Sequence, residues 1–261
     1  MSSGVRLMSG GRADETREAL LHDYERLDDL QRSGLVIIQN PAGFRFSMDA
    51  VLLAEFATVR PRDRAIDLGT GTGVIPLLVW ARRQPAEIVG IEILEEMADM
   101  AKRSVQINGL SDRIKIVHGD LRDAVDLFGA GYFDVVLSNP PYIKVDEGTL
   151  SPEGHLTVAK HEVSCTLEDV VKVAAGLVKP RGRVAMIHRA SRLADLLSSM
   201  REANLEPKRL RLVQARVGAP PMMVLVEAVK DVKAGLQVMP TLMLYGEDGQ
   251  YSEETKQIYF G

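Results

Sequence analysis

Beyond residue 63 the chain alternates short apolar runs with longer amphipathic ones, and this constrains the fold more than any other feature. The runs read "AIDLG", "GVIPLLVWARRQ", "EIVGIEI", "LEEMADMAKRSVQINGL", "IKIVHGD", "LRDAVDLF" and "FDVVLSNPPY". Strand, helix, strand, helix in this order specifies an α/β fold, a doubly wound parallel sheet whose neighbouring strands are joined by helical crossovers. The pattern predicts a further helix over 166–178, a strand at "GRVAMIH" and a helix over 191–203. After these, "RLRLVQARVG", "PPMMVLVEAVK" and "TLMLYGEDGQYS" read as strands joined by turns, including an antiparallel pair.

The segment before this core reads differently. Residues 1–60 form an expected N-terminal extension and residues 61–261 the main domain with a C-terminal strand extension. "MSSGVRLMSGGR" is small and polar and is expected to fray. Leu20, Leu21, Tyr24, Leu27 and Leu30 share one helical face, predicting a helix over 14–30. "GLVIIQNPAGFRF" then reads as two short strands around a turn at Asn40 to Gly43. A further helix follows from about Ser47, whose hydroxyl is a candidate cap.

The 261 residues, 46% of them hydrophobic, suffice for a full core. The single cysteine, Cys165, excludes an intramolecular disulfide and a CxxC metal knuckle, and no metal is expected. No apolar run approaches the roughly 20 residues that span a bilayer, so no membrane association is expected, and the single cysteine fits a reducing cytoplasm. The net charge of -4 is unevenly placed: from Lys179 to Arg216 ten Lys or Arg face three acids, a local excess of +7. Such a run either solvates helix and strand surfaces or meets a polyanion.

In "DLGTGTGVIPLL", Asp67 ends a strand and Gly69, Gly71 and Gly73 make the turn into a helix. Glycines there let backbone amides approach a ligand, and the helix terminus adds positive potential. The dinucleotide pattern G-x-G-x-x-G is not met, because Val74 stands where its third glycine belongs. The spacing D-x-G-x-G-x-G instead resembles motif I of the class I methyltransferases, and that resemblance implies S-adenosylmethionine as cofactor. Glu92, at the end of the next strand, is placed to accept both ribose hydroxyls of such a ligand. Asp120 follows the third strand. The family resemblance gives it the adenine amino group of the cofactor, while its structural alternative is to cap the helix beginning at Leu121. His118 reads as a strand residue.

The fourth strand ends in "SNPPYI". Pro140 biases Asn139 toward extended backbone, and Pro140 and Pro141 carry no N–H. The turn therefore offers the Asn139 side-chain oxygen and the Pro140 carbonyl as acceptors for one planar NH2 group, with Tyr142 as a stacking face. An amine delocalised into a ring or carbonyl is a poor nucleophile, so orienting its lone pair toward an electrophilic methyl is the help it needs. This turn resembles motif IV of methyltransferases acting on adenine N6, cytosine N4 or glutamine amides. Asn139, Pro140 and Tyr142 are thus the expected catalytic residues, Asn139 also touching the cofactor and Pro141 and Tyr142 the substrate.

"IIQNPAGFRFSMDAVLLAEFA" and "AKHEVSCTLEDVV" resemble segments of the bacterial tRNA adenine-N6 methyltransferases that modify an adenine beside the anticodon of valine tRNA, and "GLQVMPTLMLYGEDGQYSEETKQIYFG" is similar to the ending of Gram-positive-type members. The resemblance implies a Rossmann-like, mostly parallel seven-stranded sheet with helices on both faces and an antiparallel C-terminal strand. It implies tRNA as substrate, and a monomer is expected. Phe44, Phe46 and Asp49 match the family pattern and are expected to close over cofactor or base, the alternative for both phenylalanines being core packing. His161 and Glu162 lie in a long loop expected to act as a lid, or else cap the following helix. The competing activity is release-factor glutamine methylation, whose enzymes carry a longer helical N-terminal domain than these 60 residues.

Overall fold

A computed structural model describes residues 19–42, 48–140 and 165–261. The predicted alternation is present. Strands β3 (Arg64–Leu68), β4 (Glu87–Glu92), β5 (Ile114–His118), β6 (Phe133–Ser138) and β7 (Val178–Arg189) run parallel, with β3 between β4 and β6. Beyond β7 the sheet turns antiparallel: β9 (Pro221–Lys230) lies between β7 and β8 (Leu205–Gln214) and opposes both. Two short strands, β10 (Gln237–Val238) and β11 (Leu242–Met243), pair parallel with β8 and bring the sheet to nine strands.

Both faces of the sheet are buried because successive side chains point to opposite sides. On β6, Val135 and Leu137 face one apolar cluster and Val136 faces the other. The first cluster packs against α1 (Met48–Phe56), α2 (Val74–Arg83) and α3 (Glu95–Ile107). The second packs against α4 (Ala124–Phe128), α5 (Leu167–Leu177) and α6 (Leu193–Glu202). Thr166 opens α5 with a reciprocal capping box through Asp169. Among the described residues no helix is long and apolar enough to cross a membrane.

The start of the chain departs from expectation. The described part of 14–30 is not helical: β1 (Arg26–Asp29) forms a hairpin with β2 (Val36–Gln39). The turn between them holds Gln31, Ser33 and Gly34 at positive φ, and the Leu30 amide donates to the Leu35 carbonyl. The expected partner strand after Asn40 falls on residues 43–47, outside the described residues, as does Ser47. Tertiary packing decides the outcome. Helix α3 satisfies the other edge of β2, where Val36 N donates to Asn108 Oδ1 at 3.0 Å, Asn108 Nδ2 returns a bond to Val36 O, and Ile38 N donates to Ser104 Oγ at 2.9 Å. Glu25, just before β1, forms a two-pronged pair with Arg103 of the same helix.

The end of the chain also differs. "TLMLYGEDGQYS" contributes only the two residues of β11 and an isolated Tyr245–Tyr251 bridge, and then α7 (Glu253–Phe260), capped by Ser252, packs back on α1. The Arg32 and Arg82 guanidiniums donate to the Ile258 carbonyl and tie this helix to the hairpin turn and to α2.

The buried Ser104 hydroxyl is the partner of a buried strand amide, so Ser104→Ala leaves Ile38 N without an acceptor. It is expected to destabilise the protein by about 1–3 kcal/mol, read by denaturant unfolding, with the fold retained.

Candidate active site

The parallel register aligns the strand ends. Leu68 pairs with Ser138, Leu68 also pairs with Ile91, and Glu92 pairs with His118, so the chain leaves β3, β4, β5 and β6 along one edge. This carboxyl edge is where open α/β sheets bind ligands. It brings Gly69, Gly71, Gly73, Glu92, Asp120 and Asn139 to one side of the molecule.

The glycine turn is locked to its neighbour. Gly69 N and Thr70 N both donate to the Ile91 carbonyl at 3.0 Å. Gly69, Gly71 and Gly73 have φ of +73°, +57° and +85°, which a side chain would strain. A β-carbon on Gly73 would also lie 3.2 Å from that of Ala101, so α2 begins in close contact with α3. Gly90 of β4 serves the same turn, because a β-carbon there would meet the Thr70 side chain at 2.8 Å. Pro76 falls in the first turn of α2, where its missing N–H costs nothing.

Behind the turn, Asp67 is fully buried and neither carboxylate oxygen has a hydrogen-bond partner among the described residues. The Thr70 hydroxyl is close enough to favour the charged form, yet its geometry is not that of a hydrogen bond. Burial, reinforced by the charge of Glu92, pushes the Asp67 carboxyl up to about 7. Glu92 is itself buried and engaged: Oε2 accepts from Gly71 N at 2.8 Å and Oε1 from Leu94 N at 2.9 Å. Carboxylate oxygens carry two acceptor sites each, so this leaves capacity for ligand hydroxyls.

Asp120 caps the turn that follows β5, a role compatible with binding a ligand as well. Its side chain accepts from Arg122 N at 2.9 Å at the start of a 3-10 turn, Leu121–Asp123. The Arg122 guanidinium beside it holds its carboxyl below the usual range. On β6, Ser138 Oγ donates to the Leu68 carbonyl at 2.9 Å and ties the end of this strand to the start of the glycine turn. Asn139 follows half-buried and Pro140 buried. His118 is exposed at the end of β5, Nε2 3.1 Å from the Ile93 carbonyl.

Asp49 lies in the first turn of α1, and its charge reaches the Tyr259 ring. Phe44, Phe46, Pro141, Tyr142, His161 and Glu162 lie outside the described residues. Sequence reasoning assigned nothing to Gln39, although it is fully buried and donates from Nε2 to Thr72 Oγ1 at 2.8 Å, bracing the glycine turn from the N-terminal hairpin. Its signal was a lone amide closing the apolar run "VIIQ".

The basic stretch is not a bare cationic face. Among the described residues at least six of its ten cations pair with acids: Lys179 with Asp134, Arg183 with Asp63, Arg192 with Asp195, Arg201 with Glu206, Arg209 with Glu227 and Arg211 with Glu254. A cavity of about 440 Å³ lies at the far end of α2, lined by Arg32, Glu55, Arg82 and Gln257, and belongs to the fastening of α7 rather than to this edge.

Fold and edge together define a methyltransferase of the α/β class, and residues 47–191 match the family model described as methyltransferase small domain. A tRNA1(Val) (adenine(37)-N6)-methyltransferase of Porphyromonas gingivalis is 33% identical over 227 residues, covering 84% of this chain and 88% of that protein. The protein of the same name from Bacteroides thetaiotaomicron is 31% identical, covering 80% and 86%. The chain therefore belongs to the bacterial tRNA adenine-N6 methyltransferase family, within the methyltransferase small domain class. Among solved structures, a predicted O-methyltransferase from Agrobacterium tumefaciens superposes with a TM-score of 0.67 at 23% identity, covering 81% of this chain and 95% of that one, a likeness of fold.

Because the Asp67 carboxyl titrates near 7 when folded and near 3.8 when exposed, the folded chain holds an extra proton between those values. The stability of the ligand-free protein is therefore expected to fall as pH rises from about 4 to 7 and to level off above. Asp67→Asn should remove that slope and raise stability at pH 8 by about 1–4 kcal/mol, measured by thermal unfolding across pH.

Proposed function

We propose that the protein transfers a methyl group from S-adenosylmethionine to the exocyclic N6 of an adenine in tRNA, close to the anticodon. The observation that carries this reading is the position of the Asn139–Pro140 turn, one residue beyond the Leu68–Ser138 pair and hence beside the glycine turn. The relatives at 31–33% identity bear the name of that activity.

The residues fit such a cofactor. Gly69 to Gly73 and the start of α2 present close backbone at the edge, and Glu92 has acceptor sites left for the ribose hydroxyls. The unpartnered oxygens of Asp67 call for a donor or a positive charge, and either would return this carboxyl to its ionised form. Asp120, held in place by Arg122, is the acceptor this reading assigns to the adenine amino group. S-adenosylmethionine, when bound, supplies an electrophilic methyl on a sulfonium.

The rest of the chemistry belongs to this chain. The Asn139 side-chain oxygen and the Pro140 carbonyl accept the two N–H bonds of the target amine, fixing its plane and aiming its lone pair. Pro140 and Pro141 add no competing donor at their positions, Tyr142 stacks on the base, and Asp49 at the start of α1 closes over it with Phe46. A target adenine in an unpaired loop is splayed out at little cost.

Asn139→Ala is expected to lower methyl transfer to bulk tRNA by at least about 100-fold while cofactor binding, followed by calorimetry, persists. Nucleoside mass spectrometry of tRNA treated with the wild type should show N6-methyladenosine. Labelling of a release factor in place of tRNA would overturn the reading.

A further inference from the structure

The C-terminal segment carries three tyrosines in a ladder. The Tyr245 and Tyr251 rings stack with centroids 5.2 Å apart and planes 21° apart, and Tyr251 stacks on Tyr259 at 5.8 Å and 15°. Aromatic pairs packed for their own sake adopt edge-on contacts as readily, as Tyr132 and Phe133 do at 85°. Here two successive pairs keep their faces nearly parallel. The backbone holds them so: Tyr245 and Tyr251 form a bridge, Gly246 N donates to Gln250 O, and Ser252 N donates to Leu244 O before capping the helix that carries Tyr259.

Register places this ladder at the catalytic edge. Ser138 pairs with Met186, β9 runs back beside β7 with Met223 opposite Arg189, Val213 lies opposite Met223, and Leu242 lies opposite Val213. Tyr245 follows β11 by two residues, on the side of the sheet where Asn139 leaves β6. Four strand spacings separate β6 from β11, about 19 Å along the edge, a distance that an unpaired RNA loop of several nucleotides covers. At its inner end Tyr259 lies on α7, the helix that packs on α1.

The outer end is open. Tyr245 is 37% exposed, with Val217 in the β8–β9 connection and Met222 at the start of β9 also exposed. Tyr245 N donates to the Ala215 carbonyl, which puts the exposed Arg216 next to the ring's own attachment point. Of the ten cations in the basic stretch, Arg216 stands at this edge with no ion pair among the described residues. A free guanidinium beside an exposed stacked ring combines the two elements by which single-stranded nucleic acid is held, a cation for the phosphate and a π-face for the base.

We infer that the Tyr245–Tyr251–Tyr259 ladder is a stacking platform for an unpaired base neighbouring the methylated adenine, with Arg216 on the adjoining phosphate. The inference rests on the RNA reading above and adds to it the surface that holds the loop.

The test uses the full chain and a fluorescein-labelled RNA stem–loop with an adenine-containing loop, titrated by anisotropy at several salt concentrations. Tyr245→Ala should weaken binding about 10-fold with the salt slope unchanged, and Tyr245→Phe should bind as wild type. Arg216→Ala should lower the slope of log affinity against log salt by about 0.7–1. S-adenosylmethionine affinity should be unchanged in all three, and melting temperature unchanged in Tyr245→Phe and Arg216→Ala. Wild-type affinity in Tyr245→Ala, or equal losses in the Ala and Phe variants, overturns the platform while leaving the RNA reading intact. A wild type that neither binds nor methylates RNA removes the reading and the platform together.

Discussion

The Ile91 carbonyl oxygen accepts two hydrogen bonds, from Gly69 and Thr70, and the geometry of the catalytic edge depends on it. The two bonds turn the chain sharply as it leaves the central strand and fasten that turn to β4 rather than to solvent. The Gly71 amide then lies where Glu92, one residue beyond Ile91, can accept it. One carbonyl and the carboxylate next to it thus fix the turn, the start of α2 and the acid at the end of β4. Gly90 supplies the space for Thr70, and Gln39 braces Thr72 from the opposite side. Such preorganisation lets backbone amides be present before a ligand arrives, with no ordering cost at that moment.

The charge of the molecule follows a related logic. Asp67 is buried without a hydrogen-bond partner among the described residues, so the ligand-free protein carries a destabilised carboxyl where its proposed cationic ligand belongs. The arginines of the basic stretch, conversely, are mostly committed to holding strands and helices together. A net acidic protein can still meet a polyanion when the cations left unpaired lie on the approach to the site, since screening limits what distant charges contribute.

What could be read from the sequence was whatever depends on period and local chemistry. The strand and helix alternation, the glycine turn after the first core strand and the position of Asn139 after β6 are local properties, and they are found as expected. The failures trace to contacts between residues far apart in the chain. "RLDD" is a poor strand by composition, and it is one because β2 offers it an edge that Ser104 and Asn108 hold in place. The run of lysines and arginines looked like a surface because Asp63, Asp134, Glu227 and Glu254 are distant in sequence. Gln39 gave only a polar residue closing an apolar run, and its bond to Thr72 spans 33 positions. Helix α7 was readable from Ser252 but was masked by the turn-rich residues before it.

The outer side of β8 illustrates a last property of the fold. A sheet whose final strand lies bare offers unpaired amides and carbonyls to any other chain. Here β10 covers Arg209 and Leu210, β11 covers Val213 and Gln214, and between them Arg211 Nε donates to the carbonyl of Pro240, a residue with no amide to offer. The cover is interrupted and two residues long at each place, too short to recruit a further strand. The opposite border, β5, is five residues long and carries the exposed Lys115. A protein built around so many buried, β-branched strands is thereby protected at both borders from joining edge to edge with its own copies during synthesis and at high concentration.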